Sequence, residues 1–403
     1  MATAALEQSA QKQQLRRKLR AWYRRNARDL PWRRTHDPYA IWVSEIMLQQ
    51  TTVTAVVPYF ERFLKTFPNV NTLATASEQQ VLKLWEGLGY YRRARQLHAA
   101  ARLIESEYAG AFPETLPEIL ELPGVGRYTA GAIASFAFDQ PAPIVEANTA
   151  RLYARLLAIK TPLTESTVQK QLWEFAESIV PRRNPGELNQ ALMELGANVC
   201  KPRDPDCPDC PVMSFCEAHR RGWQAKIPVP PPKPGIEDVH ETAAIIKAGQ
   251  KWLLLQRSSE ERWSGLWDFP RVTCSASTSN PEAWTNGTAT IGLTKKAIAK
   301  STKPSNATAS SNGHAQRIDE ATYLDEDASI REQLRLRFGI TVRSLAELTT
   351  LRHAVTRFRI TLRCVAGTAR HKKVPPPARW ATLTEIQDLP LTTPARKIAK
   401  KLA

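Results

Sequence analysis

Four cysteines crowd into one short stretch: Cys200, Cys207, Cys210 and Cys216, spaced C-x6-C-x2-C-x5-C. Pro202, Pro205, Pro208 and Pro211 lie among them, and prolines at that density exclude both a regular helix and a sheet ladder. Four thiolates this close in sequence can surround one tetrahedral metal or one iron–sulfur cube, and spacing alone does not separate zinc from iron. Two disulfides are the third possibility. No basic start followed by an apolar stretch reads as a secretory signal, so an oxidising compartment is not expected. The chain must therefore build a rigid surface on which this loop can rest.

The run Pro228-Val229-Pro230-Pro231-Pro232-Lys233-Pro234 divides the remaining sequence. Consecutive prolines favour a stiff extended spacer, and a chain of 403 residues is long enough for two domains. Upstream, Glu78 to Glu86, Leu97 to Tyr108 and Val168 to Val180 are predicted as helices, and Leu15 to Arg20 as part of a first helix running into Trp22-Tyr23. Downstream, Glu241 to Gln256 and Phe358 to Val365 alternate as strands do, which predicts an α+β domain. Residues 273–316 are Ser, Thr, Asn and Ala with few apolar side chains, and are expected to be a disordered insertion. The longest apolar-to-small run, Gly131 to Phe138, falls far short of the ~20 residues that span a bilayer. No membrane is expected as a partner. A net charge of +17, with a basic excess in both halves, points instead to a polyanion.

Leu122-Pro123-Gly124-Val125-Gly126 falls between predicted helices Leu116 to Glu121 and Arg127 to Phe136. Glycines permit a tight turn, and the second helix then offers free backbone N–H groups to a phosphate. Trp42 to Thr52 is predicted as a helix, with Ile41, Leu48, Gln49 and Thr52 sharing the face of Glu45. No Lys or Arg stands three or four residues from Glu45. A carboxyl among apolar neighbours without a cation has a raised pKa and carries a proton near neutrality. A second carboxylate, Glu146, stands just before a helix in Pro143-Ile144-Val145-Glu146-Ala147-Asn148-Thr149-Ala150-Arg151. There the dipole and free N–H groups favour the ionised form, although Glu146 or Asn148 can equally be a simple helix cap. Two carboxyls biased in opposite directions suit an acid and an electrostatic stabiliser.

These segments carry a resemblance. The cysteine loop, following Asn189-Gln190-Ala191-Leu192-Met193-Glu194-Leu195-Gly196-Ala197, resembles the 4Fe-4S loop of the endonuclease III superfamily of DNA glycosylases, and the Gly124–Gly126 turn resembles its helix–hairpin–helix. Val43-Ser44-Glu45-Ile46-Met47-Leu48-Gln49-Gln50-Thr51 is similar to the catalytic helix of the adenine DNA glycosylase, or MutY, family. The resemblance implies a multi-domain chain. Residues 1–227 would be an all-α helix–hairpin–helix glycosylase domain with a 4Fe-4S cluster on Cys200, Cys207, Cys210 and Cys216; 228–238 would be a Pro-rich linker; 239–403 would be a Nudix-like α+β domain that checks the mismatch.

By the same resemblance Glu45 is the proton donor, Glu146 the stabiliser of the sugar cation, and Tyr128 and Asn148 their supports. The family has an aspartate at the Glu146 position and a glycine where this chain has Ala147. Relatives that also cut the strand place a lysine where Tyr128 stands, so the chain is expected to be monofunctional. Gln50 and Thr51 would reach the base opposite the target. Leu88 and Tyr90, beside the arginine row Arg92-Arg93-Ala94-Arg95, would enter the base stack with phosphate contacts alongside, and Gly124 and Gly126 would hold a phosphate.

In the second half, Trp263 to Pro270 resembles the start of a Nudix domain. Leu336 and Arg337 occupy the positions where paired metal-binding glutamates belong, which argues against a pyrophosphohydrolase, the rival enzyme class. His353 and Thr356 fall where the family contacts 8-oxoguanine. The expected partner is duplex DNA with adenine opposite 8-oxoguanine or guanine, acted on by a monomer at a bacterial, cytoplasmic nucleoid. A bifunctional glycosylase/lyase and a non-catalytic iron–sulfur DNA-binding protein are the alternatives.

Overall fold

The structure, a computed structural model, describes residues 2–231, 235–273 and 320–403. It divides into two units, Met1–Lys233 and Pro234–Ala403. The expected insertion, 273–316, lies outside the described residues apart from Thr273.

The first unit is helical: α1 (Ala2–Asn26), α2 (Pro38–Leu48), α3 (Val53–Thr66), α4 (Val70–Thr75), α5 (Glu78–Trp85), α6 (Arg92–Tyr108), α7 (Leu116–Leu120), α8 (Arg127–Ala137), α9 (Ala147–Leu156), α10 (Ser166–Ile179), α11 (Pro185–Asn198) and α12 (Glu217–Arg220). Capping boxes at Asn69, Ser77 and Thr115 open α4, α5 and α7, each satisfying backbone donors the helix itself leaves over. The centre is α2. Every residue from Tyr39 to Met47 is buried, because α3, α6 and α8 surround it.

The sequence predicts this helix over Trp42 to Thr52, and both ends differ. Asp37 accepts hydrogen bonds from the Tyr39 and Ala40 N–H groups with Pro38 at the first position, so the helix starts earlier. It ends at Leu48, and Gln50 turns into the left-handed region at φ 57°. The Arg93 guanidinium takes over the terminal carbonyls, donating to Ile46 O at 2.9 Å and Met47 O at 2.8 Å.

A second core forms where α1 meets α9, α10 and α11, with Leu15, Leu19, Leu152, Tyr153, Leu172, Leu188 and Leu192 in one cluster. Basic residues of α1 clip onto it: Arg16 donates to Ile179 O at 2.7 Å, Arg20 to Asn184 O at 2.6 Å, and Arg24 pairs with Glu187 at 2.6 Å.

The second unit is a mixed sheet of β1 (Glu237–Ala248), β2 (Lys251–Gln256), β3 (Trp267–Asp268), β4 (Arg271–Thr273), β5 (Ala346–Val355), β6 (Phe358–Thr368) and β7 (Ala378–Ala381), with α13 (Glu320–Phe338), α14 (Leu383–Asp388) and α15 (Thr393–Leu402). The order is β3-β2-β1-β6-β5, with β4 on β1 and β7 on β2; β1 and β6 run parallel. Alternation assigns the faces. Ala243 and Ile245 meet Ile386 and Ile398 of α14 and α15, whereas Ala244 and Ile246 meet Ile330, Leu334 and Phe338 of α13. β1 starts at Glu237, inside the range 228–238 expected to be linker, because its pairing with β6 extends to Glu237 opposite Phe358.

Candidate active site

Three elements of the first unit meet at one polar centre. α2 brings Glu45 in from the core, where it is 3% exposed. The α7–α8 turn, with Gly124 at φ 79° and Gly126 as N-cap, delivers Tyr128 one residue into α8. The Tyr128 hydroxyl donates to Glu45 Oε2 at 2.6 Å. Burial pushes the Glu45 carboxyl up to about 7; the Tyr128 bond pulls it down, Glu146 pushes it up again, and Arg33 opposes. Burial, with both carboxylates, raises the Tyr128 phenol well above its usual range.

Glu146 is the N-cap of α9, and both its oxygens are engaged. Oε1 accepts from Thr149 N at 2.8 Å; Oε2 accepts from Asn148 N at 2.8 Å and from Asn148 Nδ2 at 3.2 Å. The expectation that the helix terminus would favour its ionised form is corrected here. Burial raises the Glu146 pKa by more than the Asn148 and Thr149 bonds and nearby Arg151 lower it, so both carboxyls move up. What distinguishes the two is their partners: Glu146 faces N–H donors, and Glu45 faces one phenol.

Asn148 is held from its other side, its Oδ1 accepting from Arg151 Nη2 at 2.9 Å. Gly196 on α11 allows that approach, since a Cβ there would lie 2.8 Å from the Asn148 Cβ. The same Arg151 donates to Cys200 O at 2.8 Å, and one turn along α9 Arg155 donates to Cys200 Sγ at 3.2 Å and Lys201 O at 2.7 Å. Helix α9 thus braces the cysteine loop with one end and presents Glu146 at the other.

Cys200, Cys207, Cys210 and Cys216 are free thiols lining a single pocket, together with Leu152, Arg155, Val212 and Met213. Among the described residues, no three His, Cys, Asp or Glu side chains stand close enough to hold one metal ion.

Residues that the sequence did not single out crowd the same centre. Glu194 of α11, fully buried, binds Arg28 Nε at 2.7 Å and Arg33 Nη2 at 2.7 Å. Burial opposes its ionisation, but the two arginines outweigh burial and hold the Glu194 carboxyl below its usual range. These partners lie more than 160 residues apart, so no local pattern announces them.

Of the residues expected to meet DNA, Gln50 is exposed and Thr51 half-buried on the turn after α2. On the following loop Tyr90 is 51% exposed, but Leu88 is buried at 7%. Arg93 also leaves the expected phosphate-facing row, being buried at 7%. In the second unit, Thr356 is exposed in the two-residue turn joining β5 to β6. His353 faces inward from β5 against Trp263, with ring centroids 6.1 Å apart and both ring nitrogens buried without a hydrogen-bond partner. Leu336 and Arg337 are exposed on the last turn of α13.

The family described as HhH-GPD superfamily base excision DNA repair protein matches residues 43–178. Adenine DNA glycosylase of Homo sapiens is 35% identical over 94% of this chain and 72% of its own length. Adenine DNA glycosylase of Rattus norvegicus is 38% identical over 64% of this chain, and this chain spans 60% of that relative. Among solved structures, a thermostable thymine-DNA glycosylase is 29% identical, with a TM-score of 0.49 over 53% of this chain and 99% of its own.

Proposed function

The chain belongs to the adenine DNA glycosylase family, and on that premise we propose that it hydrolyses the N-glycosidic bond of adenine mispaired with 8-oxoguanine or guanine in duplex DNA. The observation that carries this reading is the buried Glu45 carboxyl with its pKa near 7, gripped through Oε2 by Tyr128. A carboxyl of that pKa is a proton donor at neutral pH, and its Oε1 is left to carry the proton. Adenine must leave the helix stack to reach it. Protonating a ring nitrogen makes the base a better leaving group, and negative charge on Glu146 then stabilises the cationic sugar. Water completes the reaction.

Tyr128 stands where a lyase would place an amine, and its phenol, raised by burial, is no nucleophile. The test is single-turnover excision from duplexes with adenine opposite 8-oxoguanine, guanine or thymine, with borohydride trapping alongside. Excision from the first two without a trapped adduct is expected. A covalent adduct would replace this reading with a glycosylase/lyase.

The four cysteines would hold a 4Fe-4S cluster. They fit it in kind, as four free thiols lining one pocket, and Arg155 supplies a cation to the Cys200 sulfur. A cluster there would tie the four loop positions to one another, while α9 holds the loop separately through Arg151 and Arg155. Purified protein should be brown and contain about four irons per chain. One equivalent of zinc without iron would remove the assignment.

The second unit, Nudix-like in its α13 and mixed sheet, serves recognition rather than hydrolysis, because Leu336 and Arg337 offer no divalent cation a ligand. Thr356, at the tip of its hairpin, presents a hydroxyl to the opposite base more readily than His353. The protein works as a monomer on nucleoid DNA; no helix of the described residues is long and apolar enough to cross a membrane.

A further inference from the structure

Arg93 is a buried cation with which no carboxylate pairs among the described residues. Its guanidinium is surrounded by the polar backbone of two loops. It takes Ile46 O at 2.9 Å and Met47 O at 2.8 Å from the last turn of α2, and Gln49 O and Thr51 Oγ1 at 3.1 Å from the loop that follows. From the second it takes Gly89 O at 3.2 Å and lies 5.4 Å from the Tyr90 ring and 5.5 Å from the Trp85 ring. Trp85 Nε1 donates to the same Gly89 carbonyl at 3.1 Å.

Both loops run through left-handed backbone: Gln50 at φ 57° in the first, and Gly87, Gly89 and Tyr90 at 98°, 78° and 49° in the second, which the glycines adopt freely and Gln50 and Tyr90 only at a cost. Left-handed Gln and Tyr persist only where surrounding bonds over-determine them. A planar fork with five donors satisfies carbonyls from two directions at once, which an ammonium does not.

We propose that Arg93 is a positioning residue that locks the Gln49–Thr51 turn and the Leu88–Tyr90 turn into one rigid reading head, so that wedging the stack and sensing the opposite base occur as a single event. This rests on the reading that both turns touch DNA. The head is anchored to the last turn of α2, so its seating also fixes the helix that carries Glu45. A mismatch that fails to seat either turn would then fail to align the proton donor.

The test is a double-mutant cycle in the full chain, with Thr51→Ala probing the first turn and Tyr90→Ala the second. Duplex affinity and single-turnover excision are measured with adenine opposite 8-oxoguanine and opposite thymine. In the native background the two changes should be coupled by roughly twofold or more. In an Arg93→Lys background, which keeps the charge and loses the fork, the coupling should vanish. Preference for 8-oxoguanine over thymine should also fall by about tenfold or more, in line with the ~10²-fold cost of an ångström of misplacement.

A melting curve and iron content near native for Arg93→Lys show that the change is not unfolding. Coupling that survives in the lysine background, or is absent from the native one, overturns the role of Arg93 while leaving the loops on DNA. If neither single change alters affinity or excision, the turns do not touch DNA, and the proposal falls with that reading.

Discussion

Glu45→Gln should lower single-turnover adenine excision by ~10²–10⁴ while duplex affinity stays near native. The amide keeps the shape and the bond from Tyr128 Oη but has no proton to give. The native rate should fall as pH rises through about 7, because burial has placed the Glu45 carboxyl there and only its protonated form is useful, and it should fall again on the acid side as Glu146, its own pKa raised by burial, takes up a proton. Tyr128→Phe removes a donor that favours the charged carboxylate, so the alkaline limb should shift to higher pH. A shift to lower pH would mean that Tyr128 acts elsewhere. The same raised pKa has a folding consequence: stability from the neutral carboxyl is complete below the unfolded value and is lost as pH rises through about 7. Excision by Glu45→Gln within tenfold of native would place the proton source in another group.

Glu146→Gln should lower excision by ~10²–10³, the range expected when a preorganised electrostatic stabiliser loses its charge. Both carboxylate oxygens are already engaged by Asn148 and Thr149 N–H groups, so the side chain is a helix cap as well as a charge. The two roles separate by magnitude. Losing a cap costs ~1 kcal/mol of stability and leaves chemistry alone, which would lower the melting temperature by a few degrees. A severe rate loss with a small change in melting assigns the charge to catalysis. Native-rate excision with a lowered melting temperature would leave Glu146 as a cap only. Glu146→Asp should excise at close to the native rate, because aspartate also caps well and α9 begins against a firmly held Asn148.

The parts of the site that sequence revealed are those whose chemistry is local. Glu45 stood out because its own helix offers it no cation, and Glu146 because a turn and a helix start beside it. The spatial neighbours stayed hidden. Arg33 and Glu194 meet across more than 160 residues, and neither sits in a pattern that distinguishes it from a surface charge. Arg93 misled for the same reason: in Arg92-Arg93-Ala94-Arg95 it looks like one more phosphate contact, and only the end of α2 reveals its task. Glu146 shows the limit of reasoning from a helix terminus, since the burial that raises its pKa comes from packing that no dipole argument contains. The strand character of β1 was legible in the apolar run within Glu241 to Gln256, but which face each residue meets, and the start of the strand at Glu237, depend on β6 and the helices, which lie far along the chain.

Helix α1 has a consequence for how the protein is made. Its packing partners, α10 and α11, emerge from the ribosome some 160 residues later. At ~5–20 residues per second that is a wait of roughly 8–30 seconds, during which an amphipathic, strongly basic helix has no apolar surface to cover it. The α2–α8 helices can assemble meanwhile through nearer contacts. A late step for the first unit is then the docking of α1 onto α10 and α11, and the cysteine loop, which follows α11 directly, becomes available to the proposed cluster at about the same moment. Assembly of the proposed cluster and docking of α1 are therefore expected to be simultaneous, and a chain stalled before α11 should be an unusually good chaperone client.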